Sequence, residues 1–193
     1  MDNLQAQEKS KYHKMWQQSE YGMTSPVMRY VDGILEYAKQ NYCKTILDAG
    51  CGNGKFMQRA IEDGFDIIGI DISLNGLINE PYNLVPLCIE APLHQLECEK
   101  KDLVVCCDVL EHVPQEWLKD TLKALSKACK KGFMFSICIT DDHFGSLIGE
   151  KLHISLLSIE DWIDLIKQFF VVQLYKRVGN DLLVVGTSNG NQG

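Results

Sequence analysis

The chain has 193 residues, 46% hydrophobic and 23% charged, enough for one domain with a sizeable core and too few for two. Its formal net charge is −7, and its lysines cluster only at Lys100-Lys101 and Lys127/Lys130/Lys131, so no nucleic-acid partner is expected, because phosphate neutralisation needs a basic stripe. The eight cysteines form no C-x-x-C pair and several lie inside apolar runs, which speaks for reduced thiols and against structural zinc; with no span-length apolar run and no secretory signal, the cytosol is expected and a membrane partner is not.

A polar, aromatic-bearing start precedes Ser25-Pro26, where Val27, Val31, Ile34 and Ala38 predict a capped amphipathic helix with proline in its first turn. Short apolar runs without strict alternation follow at Thr45–Ala49, Asp66–Ile70, Leu84–Ile89, Leu103–Cys107 and Phe133–Ile139, as buried parallel strands require. Between them, Asn53–Glu62 and Gln115–Cys129 carry apolar residues at helical spacing. Ser158-Ile-Glu-Asp161 resembles a capping box opening a further helix with Ile159, Trp162, Ile163 and Ile166 on one face. Phe169–Arg177 and Leu182–Thr187 read as two strands joined across Val178-Gly-Asn-Asp181, hence an antiparallel hairpin. The fold class that follows is α/β: a doubly wound, mostly parallel seven-stranded sheet with one antiparallel strand near its edge. The expected organisation is a single domain, 1–193, with a helical cap over 1–42 and a frayed tail at 188–193.

Leu47–Phe56, LDAGCGNGKF, places Gly50, Gly52 and Gly54 between a predicted strand and a predicted helix. Glycines so dense imply close approach to the main chain. The spacing is not G-x-G-x-x-G, since Lys55 stands where the third glycine would fall, and Asp48 precedes the loop. A second carboxylate, Asp71, closes the next strand and can accept hydrogen bonds from both hydroxyls of a ribose. Together these features predict a nucleoside-type ligand across the first two strands.

The D-x-G-C-G-x-G loop, Asp71, CIEAPL after the third strand, DLVVCCDVLEHVP at the fourth and the closing hairpin resemble a class I S-adenosylmethionine-dependent methyltransferase, in the small-molecule branch that includes ubiquinone-biosynthesis O-methyltransferases. The resemblance implies a Rossmann-like methyltransferase fold, S-adenosylmethionine as donor with S-adenosylhomocysteine as product, and a small-molecule acceptor. It implies that Asp48, Ala49 and the loop Gly50, Cys51, Gly52, Gly54 hold the methionyl part, with the carboxylate at the helix start. Asp71 takes the ribose, Ile72 packs on the adenine, Glu90 and Ala91 meet its edge, and Asp108 and Val109 line the donor beside the fourth strand.

An in-line transfer to an oxygen or nitrogen nucleophile depends chiefly on alignment, worth roughly 7–11 kcal/mol, against about 3–5 kcal/mol for a general base. His112, beyond the fourth strand, and His153, after the fifth, are the candidate bases and acceptor contacts. No metal is expected, although Asp108, Glu111 and His112 match positions that hold a divalent cation in some ubiquinone-type relatives; Glu111 has the alternative of capping the following helix. Tyr12 and Trp16 are expected over the donor and Tyr21 beside the acceptor, as a water-excluding lid. A non-catalytic or cofactor-cleaving S-adenosylmethionine-binding protein, and a nicotinamide-dependent oxidoreductase, are the competing readings.

Overall fold

The computed structural model describes residues 3–23, 25–77 and 83–190. Seven strands make one sheet: β1 (Thr45–Ala49), β2 (Asp66–Asp71), β3 (Cys88–Glu90), β4 (Lys101–Cys107), β5 (Cys129–Cys138), β6 (Phe170–Val178) and β7 (Asp181–Ser188). Their order is β3-β2-β1-β4-β5-β7-β6. The first five run parallel, while β7 is antiparallel to both its neighbours. The reversed strand thus sits second from the edge, as the hairpin signal implied.

Among the described residues the α-helices are α1 (Asn3–Met15), α2 (Ser19–Gly22), α3 (Val31–Gln40), α4 (Lys55–Glu62), α5 (Gln115–Ala128) and α6 (Ile159–Lys167). Successive strand side chains point to opposite faces, so each strand feeds two cores. Ile46, Leu103 and Val105 pack with Ile34, Leu35, Phe56 and Met57 of α3 and α4. Leu47, Val104 and Cys106 pack with Leu118, Leu122, Trp162 and Ile166 of α5 and α6. Burial on both faces is why these strands read as continuous apolar runs. Among the described residues no helix is long and apolar enough to cross a membrane.

Local differences from expectation have identifiable causes. Proline at 26 and the turn it favours make Pro26–Arg29 a 3-10 turn, with α3 beginning only at Val31 and no side-chain cap from Ser25. The predicted strand Leu84–Ile89 shrinks to Cys88–Glu90, because Val85–Leu87 is a 3-10 turn around Pro86, which cannot donate to a sheet ladder. The fifth strand begins at Cys129 instead of Phe133. The hairpin loop is two residues, Gly179 and Asn180, with Gly179 at φ 61°. Ser188 belongs to β7, paired with Phe170, and so not to a tail; residues 191–193 of that predicted tail lie outside the described residues, as do 1, 2 and 24 of the predicted cap. Ser158 caps α6 as expected, its hydroxyl accepting from the Asp161 N–H.

Candidate active site

The sheet order reverses between β1 and β4, which lie side by side. Ligands of open α/β sheets settle in the crevice beyond the strand ends at such a switch point. Two loops meet there. Gly50, Gly52 and Gly54 have φ of 83°, 53° and 74°, the left-handed region that costs other residues about 1–2 kcal/mol. At Gly50 the demand is also steric, since a Cβ would run into the Val109 side chain from the β4 loop. Gly54 instead frees space for the core: a Cβ there would lie 2.6 Å from Leu84 and 2.7 Å from Leu77.

The loop is stitched to the tip of β2. The Gly50 and Cys51 N–H groups donate to the Ile70 carbonyl at 2.7 and 3.1 Å, and the Gly52 N–H donates to Asp71 Oδ2 at 3.0 Å. Asp71 Oδ1 accepts from the Ser73 N–H at 3.0 Å. Burial nonetheless outweighs these hydrogen bonds and pushes the Asp71 carboxyl up to about 6. Asp48, inside β1, is buried with Oδ2 lacking any hydrogen-bond partner. Burial, and next the charge of Asp71, push it up to about 8. An orphaned buried carboxyl oxygen is costly, and an ammonium group beside it would supply both the missing donor and the countercharge. The carboxylate pair and the glycine cradle therefore fit an aminoacyl sulfonium nucleoside.

A cavity of about 590 Å³ opens from this loop, in the range of small-molecule sites. Gly50, Cys51, Gly52, Asp71 and Ile72 form one end of its wall, and Asp108, Val109, His112 and His153 another. Tyr12, Trp16 and Tyr21 also line it. Trp16 lies against the cradle, 3.2 Å from where a Gly52 Cβ would stand, and its ring centroid is 4.8 Å from that of Tyr21. Asn53 donates to the Gly22 carbonyl at 3.1 Å and Lys55 to that of Met23 at 3.1 Å, tying the N-terminal segment to the loop.

Five predicted contacts lie off the wall, among the described residues, the first being Asp48, buried within β1. Ala49 is buried in the core; Gly54 opens α4. Glu90 pairs with Lys9 of α1 at 2.6 Å and accepts from the Leu74 N–H. Ala91 packs on the α5–α6 core. Pro92, Leu93 and His94 form the wall beside them.

His112 and His153 meet edge to face, ring centroids 4.6 Å apart. The Glu111 carbonyl brings them together by accepting from the Ile154 and Ser155 N–H groups at 3.0 and 2.9 Å. Burial, reinforced by His153, pushes the His112 imidazole down to about 3. His153 Nδ1 lies 2.6 Å from the Thr140 carbonyl; a carbonyl only accepts, so Nδ1 carries the hydrogen and Nε2 the lone pair. Glu111 does not cap α5, whose N-cap position is Pro114. Its carboxylate reaches β5 and accepts from the Cys138 N–H at 2.6 Å, leaving Oε2 without a partner; burial holds this acid well above the usual carboxylate range. The cation set Asp108, Glu111 and His112 is not what the fold gathers. Glu111 lies instead with Cys138 and His153, one ligand atom of each within 4.8 Å of the others, while Asp108 is engaged elsewhere.

Asp108, at φ 54°, shows what the sequence concealed. Arg29 Nη2 lies 3.1 Å from both Asp108 Oδ2 and Asp181 Oδ2, and the Tyr30 hydroxyl donates to Asp181 at 2.6 Å. Burial raises the Asp108 carboxyl, opposed by the guanidinium of Arg29. This network joins the turn before α3, the end of β4 and the start of β7.

A methyltransferase-domain family profile matches residues 15–183. Ubiquinone biosynthesis O-methyltransferase of Hydrogenovibrio crunogenus is 34% identical over 100 residues, 46% of this chain and 39% of that protein. The enzyme of the same name from Nitrosospira multiformis is 26% identical over 166 residues, 75% of this chain and 66% of that protein. The matches to the Hydrogenovibrio enzyme and to one from Aliivibrio fischeri span less than half of each relative's length. Among solved structures, the Burkholderia thailandensis 1,6-didemethyltoxoflavin-N1-methyltransferase, with its namesake ligand and S-adenosylhomocysteine bound, superposes with a TM-score of 0.70 at 18% identity, over 96% of this chain and 87% of that one. Magnesium protoporphyrin IX methyltransferase from Synechocystis PCC 6803, with S-adenosylmethionine bound, gives 0.62 at 19% identity, over 83% and 79%. At these identities the structures speak for the fold. The glycine cradle between two carboxylates, the sheet order and the family match agree: the chain belongs to the methyltransferase-domain family, in the class I, S-adenosylmethionine-dependent group.

Proposed function

We propose that the protein transfers a methyl group from S-adenosylmethionine to an oxygen of a small molecule held beside His112 and His153, with an amine as the alternative nucleophile. The observation that carries this reading is the single cavity running from the glycine loop to the two imidazoles. Bound at the loop, the sulfonium supplies an activated methyl group and a neutral leaving group. Asp48 holds the ammonium, and Asp71 the ribose hydroxyls. Ile72 and Val109 flank the donor. Tyr12 and Trp16 exclude water above it, with Tyr21 facing the acceptor.

We assign the base to His153 by geometry. Its Nδ1–H is fixed on Thr140, which presents Nε2 as the base. His112, down at about 3, stays neutral and is too weak a base to draw a proton near pH 7. It serves as an acceptor contact. A reducing, cytosolic setting suits the eight free thiols.

The test is a transfer assay with methyl-labelled donor against phenols, amines and carboxylates. We expect label on a hydroxyl-bearing molecule with S-adenosylhomocysteine formed in step, and His153→Ala lowering kcat by about 10²–10⁴-fold. Full activity in His153→Ala would contradict the base, and tight donor binding without transfer to any acceptor would contradict the activity.

A further inference from the structure

Cys51, the residue between the first two glycines of the cradle, touches a second thiol from another element. Its Sγ lies 4.0 Å from Cys88 Sγ, although the residues are 37 positions apart in the chain. Cys88 opens β3 opposite Gly69 of β2. Gly69 is what lets the sulfurs meet. A Cβ there would sit 2.8 Å from Cys51 Sγ and 2.7 Å from the Met57 sulfur, and Cys88 Sγ is itself 3.6 Å from Met57 Sδ. Cys51 also forms part of the cavity wall, while Cys88 is half-buried.

We propose that Cys51 and Cys88 are an oxidation site: hydrogen peroxide joins them in a disulfide that distorts the cradle and lowers its affinity for the adenosyl ligand. The thiolate of Cys88 attacks one peroxide oxygen. The O–O bond breaks, hydroxide leaves and is protonated to water, and Cys88 becomes a sulfenic acid. The sulfur of Cys51 then attacks the sulfenyl sulfur, giving up its proton as the S–O bond breaks and a second water leaves. Two thiols and one peroxide thus become one disulfide and two waters, and the sulfurs lose two electrons to the peroxide. The Cys51 thiol already donates a hydrogen bond to Cys88, which lowers the pKa of Cys88 and favours the attacking thiolate.

The consequence for binding is geometric. A disulfide holds its sulfurs about 2.05 Å apart, so the pair must close by roughly 2 Å. Cys88 lies in a three-residue edge strand, which can give way in part. Cys51 cannot move alone, because its N–H and that of Gly50 are bonded to Ile70 and that of Gly52 to Asp71. Pulling its side chain toward β3 drags the main chain that must meet the ligand. By linkage, a ligand that prefers the dithiol form disfavours the crosslink at equilibrium; bound against the main chain at Cys51, it also resists the movement that brings the sulfurs together. The crosslink stands on the sulfur geometry alone; its effect on binding rests on the donor site proposed above.

The experiment uses the full chain, reduced and then treated with hydrogen peroxide, with intact mass and peptide mapping beside calorimetry of S-adenosylhomocysteine. We expect loss of two hydrogens, a Cys51–Cys88 peptide, a drop in affinity of at least about tenfold and recovery with a dithiol reductant. Saturating S-adenosylhomocysteine should slow the crosslink. Cys88→Ser should bind the ligand as the wild type does and keep that affinity after peroxide. Peroxide that leaves these cysteines unlinked, or a crosslink with unchanged affinity, overturns the proposal. If the reduced protein binds no ligand while the crosslink still forms, the donor-site reading fails and the oxidation site survives.

Discussion

Charging Asp48 carries a cost that its neighbours in the fold do not offset. Its carboxyl rises from 3.8 to about 8 on folding, so the native state holds that proton more tightly than the unfolded chain. The stability this contributes is present in full below about pH 4 and is lost as pH rises toward 8. Asp71, raised to about 6, acts in the same direction. Asp48→Asn removes the loss at its position. The variant's melting temperature, relative to wild type, should therefore be higher at pH 8 than at pH 5, while its donor affinity falls. An equal difference at both pH values would contradict the burial of a proton there. Both acids were legible in the sequence because they flank a local glycine loop. Arg29 was not: its partners Asp108 and Asp181 come from distant segments, and only the pairing of β5 with β7 brings the start of β7 beside the β4 loop.

α1 is held by polar contacts as well as apolar ones. The side it buries carries Glu8, Lys11 and Met15, with Glu8 and Lys11 paired to each other, so its inward face is largely polar. Two exposed pairs, Lys9 with Glu90 and Lys14 with Glu150, tie it down, and such pairs contribute about 0–1 kcal/mol. Deleting residues 1–23 should leave a cooperative thermal transition, because the sheet and α3–α6 keep both cores. It should raise the S-adenosylhomocysteine Kd at least about tenfold by removing Tyr12, Trp16 and Tyr21. Unchanged ligand binding and kinetics in the truncated chain would end the lid assignment. At this scale the sequence blurred boundaries more than identities. Glycine at 54 pushed the start of α4 past Asn53, and Pro86 cut short the third strand; each acts through backbone geometry that apolar periodicity does not register.

The whole sheet converges on the switch point between β1 and β4, while its mechanical weight lies elsewhere. Phe133, Phe135 and Phe170 form one aromatic cluster, with centroids 4.5 to 5.3 Å apart, on the α5–α6 face. Phe133→Ala should cost about 3–5 kcal/mol in urea denaturation and leave ligand affinity unchanged under conditions where the variant is folded. A loss below about 1 kcal/mol would mean the cluster is not tightly packed. The strand–helix alternation and the Gly-Asn hairpin make this architecture readable in the sequence. The N-terminal segment over the site is less legible as structure, since the side that α1 buries includes Glu8 and Lys11 and so leaves no apolar period in the sequence.

Titration calorimetry of S-adenosylhomocysteine into the 193-residue chain and its Asp71→Ala variant tests the central claim most directly. Hydrogen bonds to a charged group are worth about 1.5–3 kcal/mol each, so the account predicts one site per wild-type chain and at least about tenfold weaker binding in the variant. No heat of binding in the wild type, or equal affinity in both proteins, would contradict it.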